Sequence, residues 1–307
     1  MRSDGNEGMR GKGDEDLELS DTEHAGFRSP HLLISSSTVS ARSPASGVGA
    51  PPIPRLTVVV PAYNEAARLP GTLDQMVRYF SEQAYDWRIC VVDDGSSDNT
   101  AALAQQWADR MPRLTVIVND HRGKAFAVRT GILAARSTYV AFSDADLSVP
   151  IREIERLLTA LDGGADVAIG SREGPGAHRY GEPAYRHLMG RIYNLLYRTV
   201  LLPGISDSQC GFKAFRTPTA HDLFQRMLVY GGDARPIIGG MVTGFDTELL
   251  FLTRRRGYRL DEIGVDWYYG KASKVRPVRD TERMIIDVFK IRAYAGAGRY
   301  GAKARRP

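Results

Sequence analysis

Between residues 56 and 169 the chain alternates short β-branched apolar runs with segments of helical spacing. No other feature limits the possible folds so strongly. The runs at 56–60, 88–92, 114–118, 139–143 and 167–169 read as buried strands. Between the first two, residues 66–81 repeat their apolar positions at Leu69, Leu73, Met76, Val77 and Phe80, which is helical spacing. Further helices are expected from Thr100, over 124–135 and over 151–161, and Pro61 is expected to stop the first strand. Strict alternation of strand and helix implies an α/β fold with a mostly parallel, Rossmann-like sheet covered on both faces. Ligands of such sheets bind outside the carboxyl ends of the strands. Three polar groups stand there directly after strands: Asn64-Glu65, Asp93-Asp94 and Asp144-Ala145-Asp146.

Composition sets the outer bounds. The 307 residues are 43% hydrophobic and 25% charged, as in a soluble globular protein. No run approaches the roughly 18 apolar residues of a membrane span. The N-terminus has no signal-peptide pattern, and two cysteines, Cys90 and Cys210, make no disulfide framework. A cytoplasmic protein with reduced thiols is expected. Residues 1–54 are polar and read as a disordered tail. The net charge of +5 is unevenly spread: residues 271–307 carry eleven Lys and Arg against three Asp and Glu, whereas 55–270 are neutral. A basic end on a neutral body suggests an anionic surface as partner, or serves solubility alone.

Asp144 and Asp146, one residue apart at a strand end, can point to the same side. Together they suit a hard cation such as Mg²⁺ or Mn²⁺, and alternatively a solvated turn. Asp93 and Asp94 accept hydrogen bonds only, so they fit a base N–H, a ribose hydroxyl or a helix cap. In the segment Pro61-Ala62-Tyr63-Asn64-Glu65, Tyr63 offers a stacking face, and Asn64 and Glu65 offer polar contacts. Lys124 precedes a helix and reads either as a phosphate contact or as a solvated lysine. The six histidines have no metal-ligand spacing and read as incidental.

Taken together, Val60-Pro61-Ala62-Tyr63-Asn64-Glu65, Val91-Val92-Asp93-Asp94-Gly95-Ser96-Ser97-Asp98 and Asp144-Ala145-Asp146-Leu147 resemble the inverting GT-A glycosyltransferases of family 2. A closer resemblance is to the dolichyl-phosphate (polyprenyl-phosphate) β-glucosyltransferases. It rests on Gly123-Lys124, Ser148-Val149-Pro150 after the acidic pair, and Gly170-Ser171-Arg172. It rests also on Asp207-Ser208-Gln209-Cys210-Gly211-Phe212-Lys213 and Phe245-Asp246-Thr247-Glu248-Leu249-Leu250, and it spans about residues 55–295. Related mannosyltransferases often have Gln where this chain has Ser148, which favours the glucosyl branch. Eukaryotic members carry an N-terminal membrane anchor, where this chain has its polar tail.

The resemblance implies metal-dependent transfer of a hexose, from a donor such as UDP-glucose, to the phosphate of a polyprenyl phosphate with inversion. Pro61 to Glu65 and Asp93 would hold the nucleoside, Asp144 and Asp146 the diphosphate through Mg²⁺ or Mn²⁺. A phosphate acceptor is already anionic and needs positioning and charge compensation more than a base. Arg172 and Arg186 would clamp it, and Asp207, Gln209 and Lys213 would shape its loop. Arg191 and Arg198 read as surface groups. Asp246 stands where inverting relatives place a carboxylate, and reads as a base, an orienting group or a helix N-cap.

Residues 282–295 are expected to form an amphipathic helix. At about 100° per residue, Met284, Ile285, Val288, Phe289 and Ile291 share one face, and Arg283, Asp287 and Lys290 the other. Tyr185 to Leu202 has a similar pattern. Either helix could pack on the protein's own core. With the basic C-terminus, one of them could instead lie on an anionic leaflet. The expected organisation is therefore a tail (1–54), a GT-A domain (55–270) and a basic membrane-associating extension (271–307), peripheral to the inner face of a membrane. Alternatives are a GDP-mannose-dependent mannosyltransferase, the same fold acting on a non-lipid acceptor, and a silent docking module. Few aromatics accompany the basic tail, so nucleic acid is not an expected partner.

Overall fold

The computed structural model describes residues 52–183, 201–233, 244–270 and 277–301. The elements run β1 (Leu56–Ala62), α1 (Leu69–Ser81), β2 (Trp87–Asp93), α2 (Thr100–Arg110), β3 (Leu114–Val118), α3 (Lys124–Ala134) and β4 (Tyr139–Ser143). A 3₁₀ turn (Ile151–Glu153) leads into α4 (Ile154–Asp162), followed by β5 (Val167–Ser171) and β6 (His178–Tyr180). The second half holds β7 (Phe212–Arg216), α5 (Thr217–Arg226), α6 (Phe245–Arg255), β8 (Leu260–Gly264), β9 (Asp266–Tyr268) and α7 (Pro277–Gly296). Arg186 and most of the second amphipathic stretch lie outside the described residues.

The strands form a seven-stranded sheet in the order β3-β2-β1-β4-β7-β5-β8. Only β7 runs against its neighbours. Successive residues of β1 feed opposite faces: Val58 and Val60 join one core with α1 and α4, while Val59 joins the other with α3, α5 and α6. Burial on both faces explains why these strands read as continuous apolar runs. On the second face α3 lies very close to the sheet. A Cβ at Gly131 would fall 2.4 Å from Val59 Cγ1, so only glycine fits there.

Pro61 does not end β1, as the sequence suggested. It lies within the strand, opposite Val92 of β2. Pairing with β4 stops at Val59, so Pro61 sits where the strand has one neighbour and its missing N–H breaks no ladder. The first helix starts later than its spacing implies, at Leu69, with a proline in its first turn.

β1 is flanked by β2 on one side and β4 on the other, so the chain order reverses between β1 and β4. This is the topological switch point at which open α/β sheets bind ligands. The carboxyl ends of β1, β2, β4 and β5 all open there. Because β7 is antiparallel, its beginning meets the end of β4, with Phe212 opposite Ser143.

Candidate active site

One side of the crevice is built from loops held to each other by short hydrogen bonds. Ser96 Oγ accepts the Asn64 N–H at 2.9 Å, Thr100 Oγ1 the Glu65 N–H at 2.8 Å, and Asn64 Oδ1 the Ser97 N–H at 2.8 Å. Asn64 sits in the left-handed region (φ 52°), which asparagine tolerates. Asn99 is the N-cap of α2, and Asp98 before it, rather than Asp93 or Asp94, accepts the Thr100 N–H at 3.0 Å.

Asp93 and Asp94 have divided roles. Asp94 accepts the backbone N–H groups of Arg122 and Gly123 and lies 2.7 Å from His121 Nδ1. Burial raises its carboxyl above the usual value against those hydrogen bonds. Asp93 is almost fully buried. Its Oδ2 accepts the Ser96 N–H at 3.0 Å, while Oδ1 is buried without a hydrogen-bond partner. An unpaired buried acceptor is costly and marks a position for a ligand donor.

His121 is not incidental. Its ring stacks on Tyr63 at 3.8 Å between centroids and 3° between planes, so one face of Tyr63 is already covered. The ring is fixed by Asp94 and stands two residues before Gly123. Its position in the loop after β3, beside an acidic strand end, was the available signal.

In the centre, Asp144 forms an ion pair with Lys124, the first residue of α3. Burial opposes the charge on Lys124, but Asp144, Asp246 and Asp146 outweigh it and raise the ammonium. A Cβ at Gly211 would fall 2.2 Å from Asp144 Oδ2, so the glycine makes room for that carboxylate. Asp146 is exposed, and its Oδ1 accepts the Ser148 N–H at 2.9 Å. Leu147 between them has φ 46°, a strained conformation for a bulky residue and one that collects at functional sites. Thr72 Oγ1 donates to the Ala145 carbonyl and pins the turn from below.

These residues fit a divalent ion. Two hard carboxylates stand together, and among the described residues no cluster of three or more His, Cys, Asp or Glu could hold an ion alone. An ion here would complete its shell with a bound diphosphate and water, as Mg²⁺ and Mn²⁺ do.

The other side is built from ion pairs whose carboxylates are buried. Arg172, after β5, donates to Asp207 through Nε at 2.7 Å and Nη2 at 2.8 Å, and its guanidinium lies 5.5 Å from the Trp267 ring. Burial would raise Asp207, but Arg172 and then Lys213 hold its carboxyl far below the usual range. Lys213, in the middle of the sheet, is fully buried. Its Nζ donates to Asp246 Oδ1 at 2.6 Å and to the Cys210 carbonyl. The sequence expected Lys213 beside the acceptor; here it is spent on Asp246. Burial raises the Asp246 carboxyl, opposed by Lys213 and Lys124. Asp246 is not the N-cap of α6, which is Gly244. Gln209 approaches Thr247, with Nε2 3.4 Å from its Oγ1. Both cysteines are buried and free, with burial raising Cys90 to about 11 and Cys210 to about 12.

The family model for glycosyl transferase family 2 matches residues 57–224. A dolichyl-phosphate beta-glucosyltransferase of Trichomonas vaginalis (ALG5C) is 32% identical over 260 residues, covering 80% of this chain and 73% of its own. The Homo sapiens protein of that name is 30% identical, covering 78% and 76%. The Dictyostelium discoideum one is 29% identical, covering 77% and 73%. Among solved structures, mannosyl-3-phosphoglycerate synthase from Rubrobacter xylanophilus is similar with a TM-score of 0.52 at 18% identity, covering 83% and 78%. Glucosyl-3-phosphoglycerate synthase from Mycobacterium tuberculosis, solved with Mn²⁺, UDP and glucosyl-3-phosphoglycerate, has a TM-score of 0.52 at 16% identity, covering 82% and 81%. At those identities the likeness speaks for the fold, which is GT-A. With most of its length aligned to such relatives and more than half matched by the family model, the chain belongs to glycosyl transferase family 2, in the branch of the dolichyl-phosphate beta-glucosyltransferases, and is a glycosyltransferase.

Proposed function

We propose that the protein transfers glucose from UDP-glucose to the phosphate of dolichyl or another polyprenyl phosphate, with inversion and with Mg²⁺ or Mn²⁺. The observation that carries this reading is a buried, unpartnered Asp93 Oδ1 at the same sheet end as the Asp144 and Asp146 carboxylates. Asp93 would take an N–H or O–H of the nucleoside, within the pocket of Pro61, Ala62, Tyr63, Asn64 and Glu65. Asp144 and Asp146 would hold the metal, with the Ala145 backbone between them fixed by Thr72. When bound, the metal supplies charge neutralisation for the departing diphosphate. Lys124 would shift from Asp144 toward the phosphates as they arrive.

An acceptor phosphate oxygen attacks the anomeric carbon from the face opposite the diphosphate. The old carbon–oxygen bond breaks, and its electron pair leaves with UDP. Because the nucleophile is already an anion, Asp246 orients rather than deprotonates. Arg172, held by Asp207 and by the Trp267 face, provides a fixed cation that draws the acceptor. Gln209 and Lys213 shape the wall, and Arg186 would add a second cation.

Residues 1–54 would be a polar tail, 55–270 the catalytic domain and 271–307 a peripheral membrane contact at the cytoplasmic face. Among the described residues no helix is long and apolar enough to cross a membrane. The outer edge of α7 differs from the sequence expectation. Asp287, assigned to the polar face, is buried against Tyr230, while Ile286 and Phe289 are 49% and 64% exposed. Ile286 and Phe289, beside Lys290 and Arg292, present apolar groups framed by cations to an anionic leaflet.

The test is transfer to a short polyprenyl phosphate in detergent, with UDP-glucose, UDP-galactose, UDP-N-acetylglucosamine and GDP-mannose. Each donor is run with Mn²⁺, Mg²⁺ or EDTA. Metal-dependent product from UDP-glucose is expected. Product from GDP-mannose alone would assign the enzyme to mannosyl transfer. Donor hydrolysis without lipid product would remove the lipid acceptor.

A further inference from the structure

The C-terminal helix α7 and the segment after it reach the first turn of α6 at two points, the first through Tyr230, and these bracket Asp246. At the first, Asp287 of α7 accepts the Tyr230 hydroxyl proton, and Tyr230 Oη accepts the Gly244 N–H at 2.9 Å. Gly244 is the N-cap residue of α6, two positions before Asp246. At the second, Glu248, two positions after Asp246, accepts the Tyr300 hydroxyl at 2.6 Å. The same carboxylate accepts the backbone N–H groups of Leu228, Val229 and Tyr230 at 2.7, 3.0 and 3.0 Å. Glu248 is fully buried, and so are Val288 and Ile291, which seat α7 in the core beside α6.

None of these groups reaches Lys213, Asp144 or Asp93. They act on Asp246 only through the backbone of the turn that carries it. The N–H of an N-cap residue has no partner within its helix, and a side-chain acceptor there fixes the entry of the chain. Here the acceptor is a phenol held by a second helix.

We propose that Tyr230, with Asp287, and Tyr300, through Glu248, are positioning residues for Asp246. Together they form a clamp by which α7 and the turn after it set the acceptor side of the transfer site. This rests on the reading of Asp246 as the group that orients the acceptor site, through the Lys213 and Lys124 ammonium groups that it faces. Near-attack geometry tolerates little displacement: an error of about 1 Å can cost about a hundredfold in rate. The clamp's hydrogen bonds end on Gly244, Glu248 and residues 228–230, whereas the donor side, anchored on Asp93, Asp94 and the Asp144–Asp146 turn, meets Asp246 through the charges of Lys124 and Asp144.

The experiment uses the full chain and the variants Tyr230→Phe, Tyr300→Phe and Asp287→Asn, each alone and combined with Asp246→Asn. Transfer from UDP-glucose to a short polyprenyl phosphate gives kcat and KM, and titration with UDP and Mn²⁺ gives donor-side affinity. Tyr230→Phe should lower kcat about tenfold or more, with UDP affinity within about twofold of wild type. Asp287→Asn should cost less, because its amide oxygen still accepts the phenol proton. In the Asp246→Asn background, Tyr230→Phe should cost less than about twofold, because the group it positions is already disabled. Equal losses in both backgrounds, or parallel loss of UDP affinity and kcat, would reduce the clamp to a packing feature. Should Tyr230→Phe fold poorly, Asp287→Asn and Tyr300→Phe answer the same question. Wild-type kcat in all three variants overturns the clamp alone. A wild-type enzyme that makes no lipid product overturns the acceptor reading, and the clamp with it.

Discussion

The two sides of the crevice are held by different physics. On the proposed donor side, residues 61–65, 93–98 and 121–124 are fixed by backbone N–H groups bonding to Asp, Asn, Ser and Thr side chains. Its ion pairs, such as Glu65 with Arg68 and Lys124 with Asp144, are partly exposed, and Asp93 keeps an unpaired oxygen. On the proposed acceptor side, Lys213–Asp246 is a buried ion pair, and a partly exposed Arg172 covers the buried Asp207. Buried pairs are expensive to desolvate, and removing one partner leaves an uncompensated charge. The difference teaches where each side is vulnerable. The donor side can lose a ligand contact and keep its stability, whereas on the acceptor side losing one charge leaves its buried partner uncompensated and costs stability.

The largest effect should come from Lys213→Met, which strands the Asp246 carboxylate inside the protein. A loss of about 3–5 kcal/mol in unfolding free energy is expected by denaturant titration. The double variant Lys213→Met/Asp246→Leu should recover most of it. If the single variant unfolds like wild type, the contrast between the two sides collapses.

Asp146→Ala comes next. Because Asp146 is exposed, stability should barely change, while transfer falls about 10²–10³-fold, the scale of losing one group that meets developing charge. Circular dichroism melts beside initial rates would separate the two. A large drop in melting temperature would show that the donor side is also held by its charges.

A smaller, pH-dependent effect follows from Asp207. Arg172 and Lys213 overcome the burial term and hold its folded value below the unfolded one, about 3.9. Its contribution is therefore complete above the unfolded value and lost as the pH falls toward the folded one. Melts taken from about pH 5 downward should fall more steeply for wild type than for Asp207→Asn. Parallel slopes would mean that Asp207 is not the acid-sensitive group of this side.

The smallest effect on the fold should be Phe289→Ser. With 64% of the side chain exposed, stability should hold within about 0.5 kcal/mol. Sedimentation with phosphatidylglycerol-containing vesicles should weaken about tenfold, the value of one buried aromatic side chain. Unchanged vesicle binding would move the membrane contact elsewhere.

The same contrast decides what could be read in advance. The strands, the helix starts at Thr100 and Lys124, and the acidic strand ends are local in sequence, and local pattern is what periodicity and turn chemistry reveal. The partners of Arg172 and Lys213 lie 35 and 33 positions away, so no window of sequence contains them. The antiparallel β7 was missed because Phe212-Lys213-Ala214-Phe215-Arg216 places a lysine in the middle of a core strand. Burial of that lysine makes sense only once Asp246 is beside it. Asp287 was placed outward because a charge on an amphipathic helix ordinarily faces water, and Tyr230, 57 positions earlier, reverses that choice. His121 reads as incidental in the sequence because a single histidine has no spacing to read.

The central claim is glycosyl transfer from UDP-glucose to a polyprenyl phosphate by inversion. It is tested most directly by nuclear magnetic resonance of the lipid product made with Mn²⁺. A β-linked glucosyl phosphate, formed from the α-linked donor and absent with Asp146→Ala, is the expected result. An α-linked product, or UDP release with no sugar on the lipid, would contradict it.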